Sequence, residues 1–336
     1  MDLHFDHSLR ALNTFGVEAR AAVFASLHEA GELAELLALP ELRGLPRLWL
    51  GGGSNVLFTR DFPGLVVRVA LCGRALLGED EAAWYVAAAA GENWHELVCW
   101  TLEQGWGGLE NLALIPGTVG AAPIQNIGAY GVELRQRLAW LEALDTQSGH
   151  TLRFDNADCR FAYRHSLFKE LPRDRYLITR VVLRLPREPE LHLDYGEVRA
   201  ELEGCKRLTP RDVAEAVMRI RRRKLPDPAV LGNAGSFFKN PIVPAALVEA
   251  LRAEYPEIPC YPAGEGRVKL AAGWLIERAG WKGRRQGAAG MYEKQALVLV
   301  NHGGATGTQL WELAQMVQAS VRERFGVELE PEPLVV

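Results

Sequence analysis

The chain has 336 residues, of which 48% are hydrophobic and 24% charged, with a formal net charge of -4. This length predicts two or three domains, and the composition excludes a disordered chain and a general affinity for nucleic acid. Five scattered cysteines without a Cys-x-x-Cys pair argue against a disulfide framework or a zinc site. No apolar run has the length of a signal peptide or a membrane span, so we expect a cytoplasmic protein without membrane contact.

The first seventy residues alternate between strand and helix patterns. Strands are predicted at 21–24, 47–50 and 65–70, and a helix at 32–39. This pattern is typical of a small α/β layer.

A second unit is predicted to start near residue 71. Residues 84–90 form a buried strand pattern, and Asn93 is placed to cap a helix through Leu102, with Glu96 at the capping-box position. Seven glycines and two prolines within 105–131 exclude a regular element there. Further strands are predicted at 138–145, 151–154, 176–185 and 190–193.

The last third begins after a well-marked helix. Thr209 as cap and Pro210 at the first position start it, and Leu225 to Pro228 stop it after Lys224, where we place a domain boundary. The remainder is predicted to hold helices at 245–253, 270–279 and 310–325, the last ended by Gly326, and strands at 296–300 and 327–334.

Two glycine-rich loops are candidates for binding a cofactor. Gly51 to Asn55 follows a short strand, so its backbone N–H groups can form an anion-binding nest, although a plain tight turn explains three glycines nearly as well. Val56 stands where a Rossmann fingerprint needs its third glycine. The second loop, 115–131, has small residues that allow close approach to a planar cofactor; the alternative is an irregular crossover loop. Together they favour a dinucleotide.

Several charged groups are candidates for a site. Arg164 can face a carboxylate or enolate, but a lone arginine is more often on a solvated strand edge, and His165 lacks a visible partner. The cations Arg219, Arg221, Arg222, Arg223 and Lys224 offer a small anionic ligand one or two contacts, or merely complement the helix dipole. On an extended strand Glu328, Glu330 and Glu332 would share one face, and the periodicity does not select one of them.

Ser236 lies in a glycine-rich stretch, 232–241, read as a turn beside Phe237 and Phe238. A nucleophile elbow needs glycine two residues later, where Phe238 stands, and no Asp-His pair is evident, so a nucleophilic serine is disfavoured. A proton donor and a simple turn serine both remain open.

Several long segments in one order resemble the UDP-N-acetylenolpyruvoylglucosamine reductase family. The resemblance covers nearly the whole chain and is carried by segments 13–16, 51–57, 115–131, 160–168, 195–196, 224–228, 232–241, 269–276, 295–297 and 329–332. The segment at Tyr195 resembles the branch of the family that has a substrate-covering tyrosine loop.

The resemblance implies an α+β fold, in which a two-subdomain FAD-binding unit like that of vanillyl-alcohol oxidase (PCMH-like) is joined by a third, substrate-binding α+β domain. The two FAD-binding subdomains correspond to residues 1–70 and 71–218, and a C-terminal strand, 327–336, joins the second. The substrate-binding domain corresponds to residues 219–326. FAD would be held noncovalently, with NADPH as co-substrate and no metal. The protein is expected to be a monomer whose partners are small molecules.

The implied reaction has two halves, in which NADPH reduces FAD and the enolpyruvyl sugar nucleotide then accepts the hydride at its vinyl carbon. Arg164 and Glu332 would polarise the enolate-like intermediate, and Ser236 would donate the proton. Implied FAD contacts are Gly52, Gly53, Ser54, Asn55, Val56, Gly117, Thr118, Gly120, Ala121, Asn126, Ile127 and Gly128. Implied substrate contacts are Tyr130, Tyr195, Arg221, Lys224, Asn240 and Gln295.

One departure and two alternatives accompany this resemblance. Leu334 stands where relatives have a basic residue, so a substrate contact from that side chain is not expected. The first alternative is an FAD-linked sugar or alcohol oxidase of the same fold, which shares the loops but does not explain Lys224, Ser236 and Glu332 together. The second is a non-catalytic nucleotide-binding protein.

Overall fold

The computed structural model describes residues 2–195, 197–205 and 207–336. These form two compact units. The first unit comprises residues 2–7, Ala21–Gly53 and Phe62–Arg223 within the described ranges, and the second comprises Ser8–Arg20, Ser54–Asp61 and Lys224–Val336. The boundary after Arg223 lies close to the predicted one, whereas the return of two early segments to the second unit was not predicted.

One sheet of the first unit contains a parallel layer. Its four strands are ordered His4–Ser8, Arg20–Leu27, Phe62–Val69 and Arg47–Leu50, and the last three run parallel to one another. The helix Glu32–Ala38 places Leu33 and Leu36 in the core formed with these strands. Gly64 lies so close to the Pro46 carbonyl that a Cβ would be 2.1 Å from its oxygen, which fixes glycine there.

The second sheet of the first unit is antiparallel. Its order is Thr151–Asp155, Leu138–Asp145, Tyr176–Pro186, Ala83–Ala89 and Arg74–Glu79. The helices Trp94–Glu103 and Pro210–Lys224 contribute to the same core as this sheet. Asn93 caps the first helix as predicted, since its side chain accepts the Glu96 N–H at 3.1 Å. The short helices Leu167–Glu170 and Val198–Glu201 complete the unit.

Within the described residues, the second unit combines three helices with two small antiparallel sheets and one short parallel pair of strands. One sheet is ordered Gly232–Ser236, Val298–Asn301, Ala289–Met291 and Arg285–Gln286, and the other Ile242–Pro244, Arg267–Leu270 and Cys260–Pro262. The helices are Ala245–Glu254, Ala272–Arg278 and Gly307–Phe325. The predicted apolar face of the long helix is buried, and Gly326 ends it in the left-handed conformation.

Three local predictions are wrong. Residues 190–193 form no strand in this described part of the chain, because Leu191 and Leu193 instead pack against the core from an irregular segment. The predicted strand 327–334 is irregular as far as Pro333, because Pro331 and Pro333 cannot donate to a ladder. Ser236 lies at the end of a strand and not in a turn.

The C-terminal pairing also differs from the prediction. Leu334–Val335 pairs in parallel with Val56–Leu57, inside the second unit, and not with a strand of 71–218. The division of the first unit into two subdomains stays a prediction. No helix in the described ranges is long and apolar enough to cross a membrane.

Candidate active site

The two predicted cofactor loops meet in the first unit. A Cβ on Gly52 would lie 3.1 Å from Gly117 Cα, and one on Gly51 would lie 2.4 Å from Thr118 Oγ1. The close crossing therefore favours glycine, because a Cβ at Gly52 would require the Gly117 backbone to shift by a few tenths of an ångström. The N–H groups of Gly51, Gly52 and Thr118 donate to no other group in the part of the chain that the structure describes. These unspent donors suit a phosphate or the polar edge of a planar cofactor.

Backbone hydrogen bonds to the segment 90–94 hold the second loop in place. Gly117 O accepts the Trp94 N–H at 3.1 Å, and the N–H groups of Val119 and Gly120 donate to Glu92 O and Ala90 O at 2.9 and 2.8 Å. A Cβ on Gly120 would lie 2.5 Å from Ala90 Cβ, so Gly120 is needed for packing. The loop thus presents Gly117 and Thr118 while Gly120 secures it.

The remaining predicted cofactor residues divide between the units. Gly53 belongs to the first unit, as do Ala121 and Gly128. Ser54, Asn55 and Val56 belong to the second, where Asn55 O accepts the Leu334 N–H at 2.9 Å.

Two predicted FAD contacts have internal roles. The fully buried Asn126 amide donates to Glu133 Oε2 at 3.2 Å and to Ala162 O at 3.1 Å, and its Oδ1 accepts the Arg135 N–H at 3.0 Å. The Ile127 N–H donates to Ala122 O, and the Ile127 carbonyl accepts the Leu134 N–H. The Asn126 side chain thus holds the turn that carries Arg164, and this argues against a direct contact between that side chain and FAD.

Arg164 lies in a tight turn and not on a solvated strand edge. Ala162 and His165 exchange two hydrogen bonds of 3.1 Å across the turn, and Arg164 has φ +53. Its Nη2 donates to Gly128 O at 2.8 Å, and a Cβ on Gly128 would come within 3.2 Å of Nη1. A left-handed arginine costs about 1 to 2 kcal/mol, and such strain is concentrated at functional sites.

His165 has a structural partner. Its Nε2 lies 2.9 Å from Glu170 Oε1, and the same carboxylate binds Arg160 at 2.6 Å. This arrangement favours the structural interpretation of His165.

In the first unit Tyr130 contacts Tyr195, and the charges of Tyr130 and Arg164 both act on Arg221. The two tyrosine rings meet edge to face at 6.3 Å, and Tyr130 has φ +47. Burial lowers the pKa of Arg221, and the charge of Arg164 lowers it further while Tyr130 opposes this effect. Burial also raises the pKa of Tyr130. The four side chains therefore form a half-buried cationic and phenolic cluster suited to an anionic ligand.

Two of the neighbouring arginines form ion pairs. Arg219 binds Glu201 at 3.3 Å, and Arg223 binds both Glu201 and Glu197 at 2.6 Å. Arg221 is thus the arginine of this helix end that lies with Tyr130 and Arg164.

Ser236 and Glu332 are neighbours in the second unit. Ser236 is half-buried at the end of a strand whose register shifts between Asn233 and Ser236, with Gly235 at φ +69. The next residue, Phe237, donates to Leu297 O and accepts the Glu332 N–H, both at 2.8 Å. These hydrogen bonds fix the backbone at Phe237 and at Glu332. They therefore fix the positions from which the Ser236 and Glu332 side chains extend.

The other two glutamates of the C-terminal segment have cationic partners. Glu330 forms an ion pair with Lys239, and Glu328 lies 3.5 Å from Arg322. The Glu332 carbonyl instead accepts the Asn55 amide at 3.3 Å, which anchors this segment beside Phe237. The structure thus assigns ion-pair contacts to Glu328 and Glu330 and a backbone anchor to Glu332, which strand periodicity did not do.

Asn240 and Gln295 lie at the start of the helix Ala272–Arg278. Asn240 Oδ1 accepts the Ala272 N–H at 2.9 Å, and a Cβ on Gly273 would lie 3.1 Å from Gln295 Oε1. Lys224, half-buried, begins the last segment of the second unit. Across the described ranges, no group of three His, Cys, Asp or Glu side chains is placed to hold a metal ion.

Sequence reasoning missed His95, which supports the second loop. Its Nδ1 accepts the Leu114 N–H at 3.2 Å, so the ring proton is on Nε2, and Leu114 has φ +57. Burial lowers the pKa of His95, with further lowering by Arg222 and Arg221 that Glu96 opposes. The eighteen residues between His95 and Leu114 give no pattern that predicts this bond.

We expect His95 to make the folded state weaker in mild acid. In the unfolded chain the imidazole takes up its proton near pH 6.5, whereas folded His95 stays neutral to lower pH. Its contribution is therefore complete above about pH 6.5 and is lost as the pH falls toward the folded pKa, because the unfolded state then binds more protons.

Urea unfolding between pH 8 and 5 measures this effect. His95→Asn keeps an acceptor at the Nδ1 position without titrating, so its stability should fall less steeply below pH 6.5. His150→Asn, which changes an exposed histidine of the same unit, is the control. Equal pH slopes for wild type and His95→Asn would contradict the assignment.

Comparison with known proteins gives consistent matches. A model of the FAD-binding domain family matches residues 21–155, and a model of the C-terminal domain of UDP-N-acetylenolpyruvoylglucosamine reductase matches residues 227–336. The enzyme of that name from Chromobacterium violaceum is 57% identical over 343 residues, covering 100% of both chains, and that from Pseudomonas aeruginosa is 56% identical, covering 99% and 98%. The crystal structure of the Thermus caldophilus enzyme (MurB) matches with a TM-score of 0.69 and 26% identity, covering 99% and 98%.

Proposed function

The chain belongs to the UDP-N-acetylenolpyruvoylglucosamine reductase family, and we propose that it reduces the enolpyruvyl group of that sugar nucleotide in peptidoglycan synthesis, using FAD and NADPH. The observation that carries the proposal is the full-length identity of 57%. The meeting of Gly52 with Gly117 supports it, because the two loops expected to bind FAD are brought together.

The residues present fit a noncovalent FAD. Gly51, Gly52 and Thr118 offer backbone donors, and the bare Gly52 to Gly117 crossing leaves room for a close approach. FAD, when bound, supplies the acceptor and donor of the hydride that passes from NADPH to the substrate. The protein's part is to hold the substrate, stabilise developing charge and deliver a proton.

Arg164 is proposed to stabilise the charge that develops on the substrate carboxylate and its neighbouring carbon. Its guanidinium is permanently charged, and the bond from Nη2 to Gly128 O fixes one side of the fork. The tight turn fixes the direction from which the side chain leaves the backbone. Such preorganised charge stabilises a transition state without reorganisation of the site.

Ser236 is proposed to give its hydroxyl proton to the carbon next to the carboxylate, and Glu332 to polarise the same intermediate. A general acid must be held still, and the buried Phe237 and Phe238 rings secure the backbone directly after Ser236. The Glu332 N–H to Phe237 O bond supports a shared role for the two residues.

The six predicted substrate contacts are proposed to bind the sugar nucleotide. Tyr130, Tyr195 and Arg221 are supported by their common cluster with Arg164, in which two cations are available to a diphosphate or carboxylate. Lys224, Asn240 and Gln295 belong to the second unit, where each is half-buried.

We expect Tyr195→Phe to raise the KM for the sugar nucleotide and to lower kcat partly. Tyr195 is 47% exposed, and its ring meets that of Tyr130 edge to face, so the side chain can be reached by a ligand. Steady-state kinetics at saturating NADPH measure both constants. Tyr261→Phe, which changes a similarly exposed tyrosine in the second unit, is the matched control. Unchanged saturation kinetics for Tyr195→Phe would remove the covering role.

The function is tested with the purified protein. It should be yellow, and beyond the one equivalent of NADPH that reduces its bound flavin, it should oxidise NADPH only when the enolpyruvyl sugar nucleotide is present. Rapid NADPH oxidation driven by oxygen alone would instead support the alternative oxidase, and absence of bound flavin would support the non-catalytic alternative. As further parts of the proposal, the protein is a cytoplasmic monomer that acts on small molecules and not on nucleic acid, in keeping with its net charge of -4.

A further inference from the structure

Asn111 connects the segments that carry the two substrate tyrosines. Its Nδ2 donates to Tyr130 O at 2.9 Å and to His192 O at 2.8 Å, and the side chain is 1% exposed. His192 precedes Tyr195 by three residues in the segment that forms no strand. A single amide group therefore joins two irregular segments separated by 62 positions of sequence.

The direction of this amide is determined by chemistry. Both neighbouring groups are carbonyl oxygens, so only the NH₂ end of Asn111 can serve them. Its Oδ1 is then buried and accepts no hydrogen bond within the described chain.

The bond to Tyr130 acts on a strained residue. Tyr130 has φ +47, a left-handed conformation that a tyrosine adopts only when its surroundings impose it. Asn111 itself is fixed by the short buried helix Glu110–Leu112. The Asn111 amide thus connects the short helix Glu110–Leu112 to the Tyr130 carbonyl and to the segment that carries Tyr195.

We propose that Asn111 is a positioning residue for substrate binding, because its amide holds the Tyr195 segment at His192 against the Tyr130 carbonyl. Leu191 and Leu193 pack against the core on either side of His192, so the segment is anchored there and Tyr195 lies just beyond the anchor. This inference rests on the proposed function, since it assigns Asn111 an effect through the tyrosines on the sugar nucleotide.

The test separates substrate binding from stability. Asn111→Ala should raise the KM for the sugar nucleotide about 10-fold, as the loss of two buried hydrogen bonds allows, while the rate of flavin reduction by NADPH stays unchanged. Asn111→Ser keeps one hydrogen-bond donor and should raise the KM less. If the alanine variant does not fold, the KM of the serine variant is the test. An unchanged KM in the folded variants would overturn the proposal.

Asn156 provides a matched control. Its Nδ2 also donates to two carbonyls, those of Arg135 and Leu138, both at 2.7 Å, in the same unit. Asn156→Ala should lower Tm without raising KM. If Asn156→Ala raises the KM as much as Asn111→Ala does, the effect is a general loss of stability and the proposal fails.

A double-mutant cycle shows whether Asn111 acts through Tyr195. In a Tyr195→Ala background, Asn111→Ala should raise KM less than about 3-fold further, because the positioned group is already gone. Fully multiplicative effects would contradict positioning of Tyr195. If Tyr195→Ala alone leaves KM unchanged, the role proposed for Tyr195 fails instead, which distinguishes the two claims.

Discussion

Ser236→Ala should leave flavin reduction by NADPH nearly intact and slow the reduction of the sugar nucleotide by about 10²- to 10⁴-fold, the range of a positioned general acid. The first half-reaction requires no proton from the serine, whereas the second ends with protonation of carbon. Removal of the Ser236 hydroxyl leaves both backbone hydrogen bonds of Phe237 in place. The substitution should therefore remove the proton donor without disturbing the first half-reaction. Stopped-flow absorbance of the flavin measures each half separately.

Ser236→Cys is the conservative control for this result. A thiol of similar size carries a transferable proton, so part of the rate of the second half-reaction should return. Equal damage to both half-reactions by Ser236→Ala would show that the serine is structural, and the proposed proton donor would have to be sought elsewhere.

Arg164→Lys should lower kcat by about 10²- to 10³-fold, which corresponds to about 2.7 to 4 kcal/mol of transition-state stabilisation. Lysine keeps the charge but loses the planar fork, so it cannot bind Gly128 O and face a carboxylate with the same geometry. The KM for NADPH and the amount of bound FAD should not change. Steady-state kinetics and the flavin absorbance of the purified variant provide both readouts.

Arg160 is a closely matched control for Arg164. It also has positive φ, +46, lies four residues earlier and is paired with Glu170 at 2.6 Å. Arg160→Lys should leave kcat unchanged, because it makes the same exchange of a planar fork for an ammonium group in the same segment without touching Gly128. If Arg164→Lys stays within about 3-fold of wild type, the electrostatic role is rejected.

Helices and regular strands were predictable because their signals are local. The Asn93 cap and the apolar face from Leu310 to Phe325 each lie within a few turns of chain, and the structure contains both. The strand prediction at 190–193 was wrong because it used only local signals. The alternating leucines match a strand, whereas the segment is anchored by Asn111, some eighty residues away in sequence.

The candidate site was predicted in its composition and not in its geometry. Glycines at 51, 52 and 117 indicated two loops, but only the fold shows that Gly52 and Gly117 cross at contact distance. Ser236 was taken for a turn residue because Gly232 and Gly235 precede it, whereas the strand accommodates Gly235 through a shift of register. The supporting amides of Asn111 and Asn126 depend on partners remote in sequence, which no local pattern indicates.

The left-handed residues near the candidate site have a consequence for protein engineering. Asn126, Tyr130, Arg160 and Arg164 all have φ between +46 and +53, which glycine accepts without strain. Methods that raise thermostability by relieving backbone strain would select these positions first, and two of them carry side chains proposed to meet the substrate. A stabilised version of this enzyme should therefore be sought in other parts of the fold, since relief of strain at Tyr130 or Arg164 would exchange activity for stability.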